Sequence, residues 1–288
     1  MDAKTHKDLF KSDAENTWCP GCGDFAILDT LKDALVEMNL MPHEVVIGSG
    51  IGQAGKLPHY INANAFNGLH GRAIPPMLGI RVANKDLKIF VCTGEGDSYG
   101  EGGNHMIHNM RRNIDIVHIV HDNQVYGLTK GQGSPTTQKG QKTSMQFDGV
   151  YTEALNPIAF AIASGASFVA RSFSGNPEHL KKMIIAASNH KGYALIDVFQ
   201  PCVSFNKVNT FKWYKDHTYI LGDDYDPSDK AEAFKLATNS NDQIPLGIIY
   251  HNSRPTLVDS IKVLSEEPPL VKKFLKASNA QKFLNDFR

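Results

Sequence analysis

Charge of one sign is missing from this chain: 30 Lys and Arg balance 30 Asp and Glu over 288 residues. No net field draws it to nucleic acid or to an anionic membrane surface, so partners have to be recognised by shape and local chemistry. Long apolar runs are missing as well. No stretch approaches the roughly 18 apolar residues of a membrane span. The segment Met1-Asp2-Ala3-Lys4-Thr5-His6-Lys7-Asp8 lacks the apolar centre of a signal peptide, which makes the cytoplasm the expected location. Cysteine is scarce, and four in a chain of this length exclude a disulfide scaffold. Two of them are nevertheless spaced Cys19-Pro20-Gly21-Cys22, a pattern that suggests metal or redox chemistry in a reducing compartment. No internal repeat and no low-complexity segment is present.

What is there reads as alternating helix and strand. Ile27, Leu28, Leu31, Leu35 and Met38 mark one face of a helix, and Val45-Val46-Ile47 is a short buried strand that runs into glycines. Leu87 to Cys92 is a strand, Asn104 to Asn113 a helix and Ile114 to His121 a strand again, which together form a βαβ unit. Asn176-Pro177 supplies a cap and first turn for a helix over Leu180 to Asn189, with a strand at Ala194 to Phe199. The expectation is an α/β fold, a mostly parallel, doubly wound sheet with helices on both faces. Its segments would be a cysteine-bearing start over 1–24, the α/β domain over 25–205 and an arm over 206–288 that packs on a partner subunit. Residues 129–144, rich in Gly, Ser and Thr, read as a loop or lid.

Ligands bind beyond the carboxyl ends of the strands in such sheets. Two ends carry unusual residues. Gly94-Glu95-Gly96-Asp97 follows one strand; its glycines allow a diphosphate to approach the backbone, and Glu95 could hold a Mg²⁺. Asp122-Asn123-Gln124-Val125 ends the next, where an amide and a backbone carbonyl can complete an oxygen-rich coordination sphere. Glu95 and Asn123 lie 28 positions apart across one crossover, close enough for one metal if the two strands are neighbours. Three rival patterns fail. Gly50-Ile51-Gly52-Gln53-Ala54-Gly55 imitates a dinucleotide fingerprint, but no acidic strand end follows at the required distance. The same glycines with Lys56 imitate a phosphate loop, but Leu57 stands where a hydroxyl is needed. The Cys-x-x-Cys pair lacks the preceding strand of a thioredoxin-like site. His105, His108 and His121 are read as structural.

The Gly-x-Gly and Asn pair resembles the thiamine diphosphate motif, with Glu95 in place of the usual Asp. Trp18-Cys19-Pro20-Gly21-Cys22-Gly23, Leu69-His70-Gly71-Arg72, Arg111-Arg112-Asn113, Asp122 to Gln132, Ser134-Pro135-Thr136-Thr137 and Pro201-Cys202-Val203 occur in the order seen in beta subunits of 2-oxoacid:ferredoxin oxidoreductases. The resemblance covers roughly residues 15–215. It implies CoA-dependent oxidative decarboxylation of a 2-oxoacid, with electrons passed to ferredoxin or a related carrier. Glu95, Asn123 and the Val125 carbonyl would hold Mg²⁺; Gly94, Gly96 and Asp97 would line the diphosphate, and His70 would contact the cofactor. Cys19, Cys22 and Cys202 would ligate an iron–sulfur cluster, expected as [4Fe–4S], although the fourth cysteine of many relatives is replaced by Gln53. Cys92, in an apolar strand, is read as a core residue. An alpha subunit would supply the carboxylate that activates thiamine. Lys56 and Lys130 are expected to face a substrate carboxylate, which favours 2-oxoglutarate over pyruvate. The alternative is an electron-transfer or assembly subunit with no working thiamine site.

Overall fold

The computed structural model describes residues 2–239, 243–273 and 280–285. Its centre is an eight-stranded sheet: β1 (Val45–Ser49), β2 (Asn64–Asn67), β3 (Lys88–Gly94), β4 (Ile116–Asp122), β5 (Phe168–Phe173), β6 (Tyr193–Phe199), β7 (Thr218–Ile220) and β8 (Ile244–His251), in the order β2-β1-β3-β4-β6-β5-β8-β7. From β2 to β5 every pairing is parallel. The middle strands are apolar on both faces because both are covered, as parallel sheets require. On one side Ile27, Leu31 and Leu35 of the Gly23–Glu37 helix and Leu180 and Ile184 of the Pro177–Asn189 helix pack on Ile47, Phe90, Cys92, Val117 and Ile119. On the other, Met77, Met106, Met110, Ile158 and Ile162 cover Val46, Val91, Ile116 and Val120.

The ends of these helices follow from local chemistry. Asn176 accepts a hydrogen bond from the His179 amide, and Pro177 occupies the first turn, where its missing N–H costs nothing. Asn113 closes the Gly103–Arg112 helix with a φ of 52°, a conformation asparagine tolerates better than most residues.

The chain after residue 205 departs from the expected arm. β8 joins the sheet antiparallel to β5, with Phe168 opposite His251 and Val169 opposite Tyr250, and β7 lies parallel to β8 at the edge. In the sequence, Pro245 and Gly247 make this apolar segment look interrupted. Pro245 faces only the three-residue edge strand, where a missing donor is tolerated. No helix among the described residues is long and apolar enough to cross a membrane.

β1 has β2 on one side and β3 on the other, so the connections leaving β1 and β3 diverge. This is the switch point at which open α/β sheets form a crevice.

Candidate active site

The crevice is lined by residues at or beyond the ends of three strands: Ile51–Ala54 after β1, Gly94–Asp97 at the end of β3, His121 within β4 and Asn123 and Val125–Thr129 after it, together with His70. Its volume is about 120 Å³. β3 and β4 are neighbours with Gly94 opposite His121, which brings Glu95 beside Asn123 as the spacing requires.

Close backbone approach explains the glycines. A Cβ on Gly96 would stand 2.1 Å from the Tyr126 ring, and one on Gly50 would stand 2.1 Å from Asp97 Oδ2. Gly94 has no neighbour within 4 Å of such a Cβ, so it leaves the floor of the crevice open.

Most buried polar atoms find partners, and those that do not call for a reason. Four unpartnered ones, Gln53 Oε1, Glu95 Oε1, Asp97 Oδ2 and His121 Nε2, belong to residues that line this one crevice. Glu95 is 2% exposed. Burial pushes its carboxyl up to about 7, opposed by the Ser134 hydroxyl and by main-chain hydrogen bonds from Glu95 and Asn123. Asp97 is also raised by burial, while its Oδ1 accepts the Gly71 N–H at 2.6 Å. Two buried carboxylates without a cation beside them are costly, and a divalent metal would relieve them. Asn123 turns its Oδ1 to the Val125 N–H at 3.1 Å and donates its amide to Gln200 Oε1 at 3.0 Å. A larger groove of about 660 Å³, lined by Phe173, Phe211, Tyr219 and their neighbours, contains none of the unpartnered atoms.

A second, smaller cavity of about 20 Å³ adjoins the first and is lined by Trp18, Cys19, Cys22, Asp24, Gln200 and Cys202 among others. Gln53, Asn123 and Gly127 line both cavities and so form their common wall. Burial, and next the Asp24 carboxylate, hold the Cys22 thiol well above the ordinary range; its S–H donates to Asp24 Oδ2 at 3.4 Å. Cys92 lies elsewhere, fully buried in the core, its thiol pushed up by burial to about 12. Among the described residues no three His, Cys, Asp or Glu side chains are already gathered at metal-binding range.

The remaining expected residues divide between the crevice wall and its surroundings. His70 is exposed on the crevice wall and is not a core histidine. Lys56 and Lys130 do not meet in the crevice. Lys56 donates to Thr17 Oγ1 at 3.2 Å, and Lys130 stands exposed at a φ of 78°, one residue beyond the lining Thr129. His121, read from sequence as structural, proves to face the site. Only its position two residues before Asn123 hinted at this.

Comparison with known proteins agrees with the geometry. The family described as thiamine pyrophosphate enzyme, C-terminal TPP binding domain, matches residues 49–198, and the family of the C-terminal part of the pyruvate ferredoxin oxidoreductase beta subunit matches 202–266. The chain is 46% identical to 2-oxoacid:ferredoxin oxidoreductase 1, subunit beta, of Aeropyrum pernix, over 84% of this chain and 80% of that one. It is 41% identical to the 2-oxoglutarate oxidoreductase subunit KorB of Mycobacterium tuberculosis, over 68% and 53%. A solved structure of 2-oxoglutarate:ferredoxin oxidoreductase from Magnetococcus marinus, with 2-oxoglutarate, coenzyme A and succinyl-CoA bound, superposes with a TM-score of 0.90 at 33% identity, covering 99% of this chain and 96% of that one.

Proposed function

Because this chain belongs to the beta subunits of the 2-oxoacid:ferredoxin oxidoreductases, we propose that its crevice holds thiamine diphosphate with Mg²⁺ for the CoA-dependent oxidative decarboxylation of 2-oxoglutarate. The observation that carries this reading is the convergence of four unpartnered buried polar atoms on the β1/β3 switch point. Glu95, Asn123 and the Val125 carbonyl would hold the metal, an all-oxygen set suited to a hard cation. Gly94, Gly96 and Asp97 would border the diphosphate. Bound thiamine supplies the electron sink that lets a 2-oxoacid lose CO₂. The chain's own part is to fix the metal, to bring its backbone close and to keep the wall of the crevice dry through Tyr126 and Ala54. At about 120 Å³ the crevice is smaller than the roughly 300–1,000 Å³ that encloses a whole ligand, in keeping with its completion by residues of an alpha subunit.

Cys19, Cys22 and Cys202 would hold an iron–sulfur cluster behind the wall formed by Gln53, Asn123 and Gly127, where it would supply one-electron chemistry. Gln53 brings an amide to the same wall, a non-cysteine group beside the three thiols. Lys130, on the rim beside Thr129, is the counter-charge we assign to the distal carboxylate of 2-oxoglutarate, since a carboxylate losing hydration needs a partner that a methyl group does not.

Cofactor and metal analysis of the assembled enzyme tests the reading. We expect one thiamine diphosphate per chain, retained with Mg²⁺ and released by chelation, together with iron and sulfide. Enzyme that takes up no thiamine diphosphate in the presence of Mg²⁺ would overturn it.

A further inference from the structure

His121 is the fourth unpartnered atom of the crevice, and neither the metal nor the diphosphate accounts for it. Its ring is 1% exposed and sits one residue before the end of β4, on the face covered by the Gly23–Glu37 helix. That helix presents Asp24, fully buried in its first turn, and Asp24 Oδ1 accepts the Nδ1–H of His121 at 2.7 Å. A carboxylate is acceptor-only, so Nδ1 carries a proton, and in the neutral ring Nε2 is then left as a lone-pair acceptor. This tautomer logic is the one by which a buried aspartate orients an active-site histidine. Nε2 is buried, has no partner among the described residues and belongs to a residue that lines the crevice. A buried acceptor without a donor costs stability, and no donor among the described residues offsets it.

We propose that His121 is a further binding residue of the active site, its Nε2 accepting a hydrogen bond from an N–H or O–H group of the crevice's occupant. The proposal rests on the reading of the crevice as a thiamine diphosphate site. Two sources offer such a donor, the amine of the cofactor's aminopyrimidine ring and a hydroxyl on the reacting 2-oxoacid. Either would meet an acceptor whose orientation is set before binding by Asp24.

The assembled enzyme distinguishes them through two parameters, the thiamine diphosphate dissociation constant measured by calorimetry with Mg²⁺ and the KM for 2-oxoglutarate at saturating cofactor. His121→Leu removes the acceptor. We expect it to weaken one of the two by about tenfold, with the melting temperature of cofactor-free enzyme lowered because buried Asp24 loses its donor: a raised dissociation constant assigns the donor to the cofactor, a raised KM to the substrate. His121→Gln, which returns an acceptor near the position of Nε2, should recover most of the loss. The proposal is overturned if His121→Leu leaves both parameters unchanged, or if His121→Gln is as impaired as His121→Leu. Should His121→Leu fail to assemble, His121→Gln decides alone: near wild-type values support the proposal, and a tenfold loss defeats it. Wild-type enzyme that binds no thiamine diphosphate removes both this inference and the function it rests on. Binding by the wild type that Glu95→Gln abolishes, with both the dissociation constant and the KM unchanged in the His121 variants, removes this inference alone.

Discussion

Two histidines three residues apart on β4 separate core from site. His118 faces one side of the sheet and is fully buried; its Nε2 meets Thr93 Oγ1 at 2.8 Å and Ser98 Oγ at 3.1 Å, and its Nδ1 meets Tyr193 OH at 2.7 Å. His121 faces the other side and is equally buried, but only its Nδ1 is engaged. Burial and strand position are therefore poor guides to the role of a polar residue. Whether its hydrogen-bonding capacity is used up inside the chain is a better one. Glu95, Asp97 and Gln53 fall on the unused side of that division, whereas Asp197, buried between Tyr99 OH at 2.8 Å and Arg171 Nε at 3.1 Å, falls on the used side.

The comparison can be broken most directly at Glu95. Glu95→Gln should weaken thiamine diphosphate binding about 100-fold or more in Mg²⁺ titrations, because it removes the charged ligand from a hard cation's sphere. The melting temperature of the cofactor-free enzyme should hold or rise, since a buried, unpaired carboxyl is lost. Unchanged affinity would show that the open oxygen of Glu95 has nothing to do with the metal.

A second contrast lies between cysteines. Cys202→Ser should lower the iron and sulfide content severalfold, whereas Cys92→Ser, in the core away from the small cavity, should keep the iron and lose stability by about 1–3 kcal/mol from a buried hydroxyl with no assigned partner. Full iron in Cys202→Ser, or iron loss in Cys92→Ser, would cancel the distinction. At the rim, Lys130→Ala should reduce kcat/KM for 2-oxoglutarate about tenfold and that for pyruvate much less. Equal losses on both substrates would move Lys130 from the distal carboxylate to the fold.

The smallest effect sharpens the His118 side. Burial holds His118 at about 3, below the ordinary 6.5, so the folded chain refuses a proton that the unfolded chain accepts. The stability this group confers is present above 6.5 and drains away as pH falls through the window down to about 3. Between pH 6.5 and 5.5 it should account for a loss of about 1 kcal/mol. His118→Gln, measured by denaturant unfolding at both pH values, should be flatter than the wild type by that amount. Parallel pH profiles would mean that His118 titrates alike in the folded and unfolded chain.

Sequence made the centre of the sheet legible and its margins obscure. β1, β3, β4 and β6 are apolar on both faces, so their runs stand out, and the spacing of Glu95 and Asn123 located one crevice from two strand ends. β2 escaped notice because Asn64–Asn67 is exposed throughout and has no buried face to leave a pattern. β5 buries Arg171 and Ser172, polar residues that break its apolar run and are met by Asp197 and the His179 ring. β8 was hidden by Pro245 and Gly247. The site divides in the same way. Glu95, Asn123 and the cysteines announce themselves by type and spacing, whereas His121 depends on a nitrogen left open by Asp24, 97 positions away, which no local pattern encodes.

The wall between the two cavities also fixes an order of events during synthesis. Gln200 donates to Cys22 Sγ across 178 residues of chain and pairs with the wall residue Asn123, and Cys202 lies two residues further on. While the ribosome still holds residue 200, the first cysteines have neither their third companion nor the side chain that seats them, and the crevice lacks one support of Asn123. The small cavity has its complete lining only once residues 200–205 have been made. A polypeptide cut short before β6 would carry the Cys-x-x-Cys pair and Glu95 but neither Gln200 nor Cys202, so under the proposed assignment it should fail to keep the cluster.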